Sequence, residues 1–385
     1  MNELRSWSSY WKVRRLSRLW GNSPSGLSHY DAAVYLELAE HFEHLHGPHG
    51  PYWIFDLGTY FGHSAFSFLI GANKVSPQSQ LRVLSVDLFD QPAWLHTSKS
   101  VQDFVRKFGS TGLDAIGKHL ATVCAASGMQ AGACDQIKLL QQDVTQLSAE
   151  QLLQIAPKGF VCFLIDCGKL PDVMNSIMQF CTDSRIAPKG SLLVFQDFFD
   201  WHAPWNLWAF WKLLKAGNVR VKYAHRRIPP MVEIVGHTNI HPVCDKIEAS
   251  QFESWCTPYT SPDNELRMFD EVTAFLQKLN CHELAVRVQC LKTGALLRAG
   301  RLADAETWLN GLDSKWPPLL KDGELQNAYA RLRHLKTGNK DLTIVLESAH
   351  RRRRQSAVNN WARALEYRLR LMGALVLHSG QSQSS

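Results

Sequence analysis

Residues 56–64, Asp-Leu-Gly-Thr-Tyr-Phe-Gly-His-Ser, join a short apolar run to an apolar stretch of helical character that starts at Ala65. Gly58 and Gly62 permit a ligand to approach the backbone closely, and the N-terminus of the following helix offers N–H groups to something polar or anionic. About twenty-five residues beyond Gly62 the next apolar run ends in Asp87, where a carboxylate can accept hydrogen bonds from both hydroxyls of a ribose. A glycine loop alone is a common turn. With Asp87 at the end of the next strand, the pair points to an adenosine-type ligand.

Two further apolar runs end in acids: Phe163-Leu-Ile-Asp166 leads into Cys-Gly-Lys169, and Leu193-Val-Phe-Gln-Asp197 leads into Phe198, Phe199 and Asp200. In open parallel sheets the ligand crevice lies at the carboxyl ends of the strands, so Asp166 and Asp197 are expected to face it from neighbouring positions. Together they can hold a divalent cation of the oxygen-preferring kind, such as Mg²⁺, or else only cap strand ends and bond loop amides. Lys169 can lose its proton in a desolvated, cation-rich site and act as general base on a substrate hydroxyl; the competing reading is a solvated loop lysine. In the aromatic run that follows, Trp201 and Trp205 are candidates for an acceptor pocket, whereas Leu207, Trp208, Trp211 and Leu214 have the spacing of helix packing. His41, His44, His46 and His49 lie at spacings a metal can use, but no carboxylate or Cys accompanies them and two fall in a Gly/Pro turn, so no metal site is expected there.

The elements that must position these residues follow from periodicity. Tyr30 to about His46 has helical spacing and is stopped by Gly47, Pro48, Gly50 and Pro51. Tyr52–Leu57, Leu81–Leu88, Ile137–Leu140, Phe160–Ile165 and Ser191–Phe195 are short, nearly all-apolar runs separated by helical or loop stretches. That pattern predicts an α/β fold with a mostly parallel sheet covered on both faces. Val219–Tyr223 and Met231–Val235 fit a closing antiparallel pair, and the segment 91–136 fits two inserted helices beside the ligand edge. Residues 1–29 form a basic amphipathic segment, 30–240 the α/β domain, 241–263 a Pro-bearing linker, and 264–380 an all-α domain of helical hairpins. In that last domain the string LKTG recurs at 291–294 and 335–338, which suggests a repeat of about forty residues.

The string Asp56-Leu-Gly-Thr-Tyr-Phe-Gly-His-Ser-Ala-Phe-Ser-Phe-Leu69 resembles the glycine-loop motif of class I S-adenosylmethionine-dependent methyltransferases, and is most similar to the catechol O-methyltransferase-like branch. The resemblance covers roughly residues 30–240 and implies a Rossmann-like sheet. It implies that the motif from Asp56 onward binds the donor, with Gly58, Tyr60 and Ser64 lining its methionine portion, Asp87 its ribose, and Gln142 and Asp143 its adenine. In that family a metal-binding Asp, a catalytic Lys three residues on and an Asp-Asn pair after the next strand match Asp166, Lys169 and Asp197. Phe198 stands where the Asn belongs, so Asp200 or His202 would have to substitute. The loop departs from the dinucleotide pattern G-x-G-x-x-G, which lowers a nicotinamide alternative. Gly300 to Leu309 resembles the turn and second helix of a tetratricopeptide unit. The expected activity is O-methylation of a hydroxyl on a small molecule or glycan; the alternative is a non-catalytic scaffold of methyltransferase fold whose helical repeats bind a protein partner.

Bulk properties narrow the setting. The net charge of +7 is carried at the ends: residues 281–378 hold about seventeen Lys/Arg against nine Asp/Glu, and the first twenty add about +4. A polyanionic partner would therefore be met by the ends, and the helical domain is the expected place for a protein partner, self-association or an anionic acceptor. Arg351–Arg354 wraps around a helix and reads as a solvated face, so there is no strong nucleic-acid signal. No run of about eighteen apolar residues and no signal-peptide core is present. With nine Cys and no C-x-x-C pair, the expectation is a cytoplasmic protein with reduced thiols.

Overall fold

The computed structural model describes residues 29–89, 99–130, 132–167, 171–196, 198, 205–225, 228–240, 262–278 and 282–315. Lys169, Asp197, Asp200, Trp201, His202, the basic N-terminal segment, the linker, the second LKTG hairpin and Arg351–Arg354 lie outside them. The chain divides into two compact units: Met1–Gln196, Leu213–Arg220 and Met231–His241 form the first, and Asp197–Lys212, Val221–Pro230 and Pro242–Ser385 the second.

In the first unit, helix α1 (His29–His46) precedes strand β1 (Tyr52–Leu57), α2 (His63–Val75) and β2 (Leu81–Asp87). The insertion follows as α3 (Lys99–Phe108) and α4 (Leu113–Ala126), then β3 (Ile137–Gln141), α5 (Ala149–Ile155), β4 (Phe160–Ile165), α6 (Pro171–Thr182) and β5 (Leu192–Phe195). Helix α7 (Trp205–Lys215) and strands β6 (Val219–His225) and β7 (Ile228–Ile234) complete the sheet region. The seven strands run in the order β3-β2-β1-β4-β5-β7-β6. β1 to β5 pair in parallel, and β7 lies antiparallel to β5.

Apolar runs made this sheet because both faces are covered. Ile54, Phe55, Leu57, Val83, Leu84, Val86 and the core of β4 are essentially fully buried, with no alternation of polar residues that would mark a wet face. Ser148 starts α5 with a capping box, its side chain accepting from Gln151 N while Gln151 returns to the Ser148 N–H. The strand order reverses direction between β1 and β4, which places the ligand crevice of such a sheet outside the carboxyl ends of those two strands.

In the second unit, α8 (Pro262–Lys278), α9 (His282–Arg298) and α10 (Leu302–Lys315) form consecutive hairpins, with the α9 to α10 corner at Gly300 as its spacing indicates. The aromatic residues of α7 that the sequence assigns to packing do pack: Trp211 donates Nε1–H to Glu271 Oε2 at 3.2 Å and meets Phe275 edge-on at 6.0 Å. Phe198 is buried against Phe210 at 5.2 Å. Among the described residues no helix is long and apolar enough to cross a membrane.

The expectation of reduced thiols throughout does not hold. Cys124 and Cys134 are joined in a disulfide with Cα atoms 6.4 Å apart. The turn after α4 folds Cys134 back onto the last turn of that helix, a closure that ten residues of sequence separation do not announce. Cys162 and Cys181 are free and buried, as core filler.

Candidate functional site

The site begins with register. In the β1/β2 pair Asp56 stands opposite Ser85 and Leu57 opposite Val86, so the two strand ends deliver Asp56 and Asp87 to one edge. The ladder continues one residue past the strands: Gly58 N bonds Val86 O at 2.9 Å, Asp166 N bonds Leu57 O at 2.9 Å and Gln142 N bonds Asp87 O at 3.1 Å. The expected residues after β1, β2, β3 and β4 are therefore brought together at the carboxyl edge.

Asp87 ties the loop in place. Its Oδ2 accepts from Tyr60 N at 2.8 Å and its Oδ1 from Phe89 N at 3.0 Å. Tyr60 and Phe89 are the two non-glycine residues with positive φ, 55° and 51°, among those described. The carboxylate thus compensates a backbone conformation that side chains disfavour. Asp87 remains half-buried, and each oxygen keeps a lone pair for a further donor.

Asp56 lies behind the loop with no exposed surface. Its Oδ2 accepts from Ser64 Oγ at 2.8 Å and Ser85 Oγ at 2.9 Å, while Oδ1 has no hydrogen-bond partner. Burial is the main cause that pushes its carboxyl up to about 6; Thr59, Ser64 and Ser85 oppose the shift, and Asp87 adds to it. Thr59 Oγ1 stands close enough to act on this carboxylate without a well-formed hydrogen bond. Ser64 and Ser85 are thereby committed to Asp56. The signal for Ser85 was in the sequence, as the polar residue two positions before Asp87 between Leu84 and Val86.

The two glycines are explained by the chain's own packing. At Gly58, with φ +89°, a Cβ would stand 2.8 Å from Cys167 N and 3.1 Å from the Asp166 carbonyl carbon. At Gly62, with φ +80°, it would stand 2.9 Å from Leu120 Cδ2. The side of Gly58 that a side chain would fill is therefore taken by the β4 end, and that of Gly62 by the inserted helix α4. Leu120 thus lies beside the residue that precedes α2, and the first residues of that helix, His63, Ser64 and Ala65, are buried.

Three carboxylates, Asp166, Asp87 and Asp56, act together on Cys167: burial first, then these acids in that order, drive its thiol far above the usual range. The edge is acidic and its helix N-terminus is covered. Asp143 uses Oδ1 to cap the short helical turn after β3, accepting from Thr145 N at 2.8 Å and Thr145 Oγ1 at 2.9 Å. Gln142 reaches Gln146 O at 3.1 Å.

The insertion closes this edge from one side, as its spacing suggests. Phe104 meets Phe61 at 4.8 Å, and His119 Nε2 lies 3.4 Å from His63 Nε2. Burial holds both imidazoles neutral, His63 lowered to about 3 with help from His119, and His119 to about 4 with help from Lys107. Leu120 has the apolar spacing of an inserted helix, but nothing in the sequence links residues 62–63 to 119–120 or pairs these histidines.

For a cation the described residues supply little. Of the two carboxylates expected to share one, only Asp166 is described, and among the described residues no group of three or more His, Cys, Asp or Glu side chains could hold a metal. Phe198 belongs to a core and cannot replace the missing ligand. The second unit has its own cavity of about 650 Å³ between α8, α9 and α10. Two ion pairs lie in its lining, Lys292 with Asp270 and Arg301 with Asp304.

No protein-family profile and no curated sequence matches the chain. Among the solved structures that align with it is a crystal structure of CalS11, described as a calicheamicin methyltransferase, at 18% identity over 58% of this chain and 91% of that one, with a TM-score of 0.38. The apo form of CalS11, described as a TDP-rhamnose 3'-O-methyltransferase, aligns at 15% identity over 58% and 93%, with a TM-score of 0.37. Likeness at that level identifies neither a substrate nor a residue's role in this chain.

Proposed function

We propose that the first unit binds S-adenosylmethionine at the carboxyl edge of its sheet and transfers the methyl group to a hydroxyl of a small molecule or glycan. The observation that carries this reading is the convergence of Asp56, Asp87 and Asp166 on one edge beside a helix whose first residues are buried. A ligand with a phosphate would meet three acids and a blocked anion cradle, whereas a cationic adenosine ligand meets favourable charge. Such a donor supplies an electrophilic methyl on a sulfonium.

The residues then divide the work. Asp87 accepts the ribose hydroxyls with the lone pairs left after it has fixed Tyr60 and Phe89. Asp56, without exposed surface, acts through its charge and through its hold on Ser64. Gly58 and Tyr60 give the loop the course that lines the methionine portion, and Gln142 and Asp143 border the adenine. Asp166 orients the acceptor, alone or by sharing a divalent cation with Asp197, and Lys169 removes the acceptor hydroxyl proton. Methyl transfer needs chiefly alignment of nucleophile and methyl group, so the chemistry does not depend on that cation. The helical unit selects the acceptor or a protein partner.

Titration calorimetry with S-adenosylmethionine tests the reading, with methyl transfer from labelled donor to a panel of hydroxyl compounds, in Mg²⁺ and in excess chelator. Saturable donor binding is expected. No binding by the folded protein overturns the reading in favour of the scaffold, and full turnover in chelator assigns Asp166 to orientation without a metal.

A further inference from the structure

The glycine loop is held from outside by α4, and α4 is itself held at one end by a covalent bond. Leu120 fills the space beside Gly62, and His119 in the same turn meets His63. Cys124 follows one turn later on the Leu120 face and is bonded to Cys134, whose Sγ also lies 3.5 Å from the Leu120 carbonyl oxygen. The Cys134 side is anchored to the body of the sheet unit. It lies in the turn Ala133–Gln136, where Gln136 donates Nε2–H to Ser79 O at 2.6 Å and accepts from Asn73 Nδ2 at 3.1 Å. Cys124 is buried and Cys134 half-buried, so Cys134 is the less buried partner of the bond.

We propose that the Cys124–Cys134 bond is a redox-sensitive tether on the glycine loop: closed, it keeps Leu120 and His119 seated on Gly62 and His63, and opened by a dithiol it releases α4 and weakens donor binding. The inference rests on the donor-binding reading above. A thiolate of the dithiol attacks Cys134 Sγ, the bond to Cys124 breaks, and Cys124 leaves as a thiolate that takes up a proton. The second thiolate of the reductant then resolves the mixed disulfide and releases Cys134 as a second thiol, while the reductant ends as its own disulfide. Two electrons enter the protein and no other group changes.

The test uses the full chain. Alkylation under denaturing conditions without reductant should leave two of the nine cysteines protected, and peptide mapping should link Cys124 to Cys134. Reduction by dithiothreitol should speed amide exchange across residues 58–62 and 113–126, a readout that needs no donor. It should also lower S-adenosylmethionine affinity roughly tenfold, within the ordinary range of coupling between sites. The double variant Cys124→Ser with Cys134→Ser should show the weaker affinity and no response to the dithiol. Nine alkylated cysteines in air-oxidised protein, or a disulfide whose reduction changes neither exchange at 58–62 nor affinity, would overturn the tether. Faster exchange on reduction, with no donor bound in either state, would keep the tether and sink the donor reading instead.

Discussion

Glu43 and Asp56 are both buried carboxylates, one packed at the entry of strand β1 and one within it near its exit, and they are bonded differently. Glu43 Oε2 accepts from Tyr52 Oη at 2.8 Å and Ser79 Oγ at 2.6 Å, and Oε1 from Gln80 N at 3.4 Å, so both oxygens are used. Asp56 directs both of its donors to one oxygen and leaves the other without a hydrogen bond. At the entry, saturation makes a pin between α1, β1 and the turn before β2. At the exit, the unsatisfied oxygen and a carboxyl raised to about 6 mark a site where the fold tolerates a cost.

The largest expected effect is therefore structural and lies at the entry. Glu43→Ala leaves the Tyr52 and Ser79 hydroxyls buried without an acceptor and should lower unfolding free energy by about 3 kcal/mol. Denaturant titration measures this, and the remaining folded protein should bind donor as before. Weakened donor binding in that folded fraction would show that the two ends are coupled and that their contrast is false.

Asp87→Ala comes next. It removes charge-assisted bonds worth about 1.5–3 kcal/mol, so donor affinity by calorimetry should fall at least tenfold. Unchanged affinity would remove Asp87 from the site.

The position of Asp87 at the end of the second strand was legible in the sequence, but its bonds to Tyr60 N and Phe89 N were not. The strands themselves were legible too: β1 and β4 match the apolar runs to the residue, and only β7 starts three residues earlier than expected, at Ile228. The partners of the loop were not legible. Gly58 is glycine because Cys167 packs on it from more than a hundred residues away, and Gly62 because Leu120 packs on it from a separate helix. Such contacts are set by which elements the sheet brings together, and local spacing carries no trace of them. Phe198 illustrates the converse: read as a departure inside a ligand set, it is a core residue set against Phe210.

A smaller effect separates the charge of Asp56 from its hydrogen bonds. Its folded pKa, about 6, lies above the ordinary 3.8, so the folded state binds the proton more tightly. The stability that Asp56 contributes is therefore fully present below about 3.8 and declines as pH rises toward 6, where burial of the ionised form opposes folding. Donor affinity should run the other way, because a cationic ligand favours the ionised carboxylate. Between pH 5 and 7 it should rise up to about tenfold, and Asp56→Asn should flatten that rise while gaining stability at neutral pH. An equally steep rise in the Asn variant would place the titrating group elsewhere.

The smallest effect belongs to the histidine pair, which sits at the same edge and titrates with the opposite sign. His63 and His119 have folded pKa values near 3 and 4, below the ordinary 6.5, so the unfolded chain takes up protons first as the solution is acidified. The stability they contribute is present above about 6.5 and is lost as pH falls toward 4. For His119 the loss between pH 7 and about 5.5 should be on the order of 1 kcal/mol. His119→Phe keeps a ring against Phe104 and Phe108, which lie 5.3 and 5.4 Å from the imidazole, and removes that titration. Melting temperatures followed against pH should therefore fall less steeply below neutrality in the variant than in the native protein. Because Asp56 gains stability over part of the same acid range, the clean comparison is the difference between the two curves and not either curve alone. Parallel curves would mean that the imidazole already meets solvent protons in the folded state, and the inserted helices would then not seal the glycine loop.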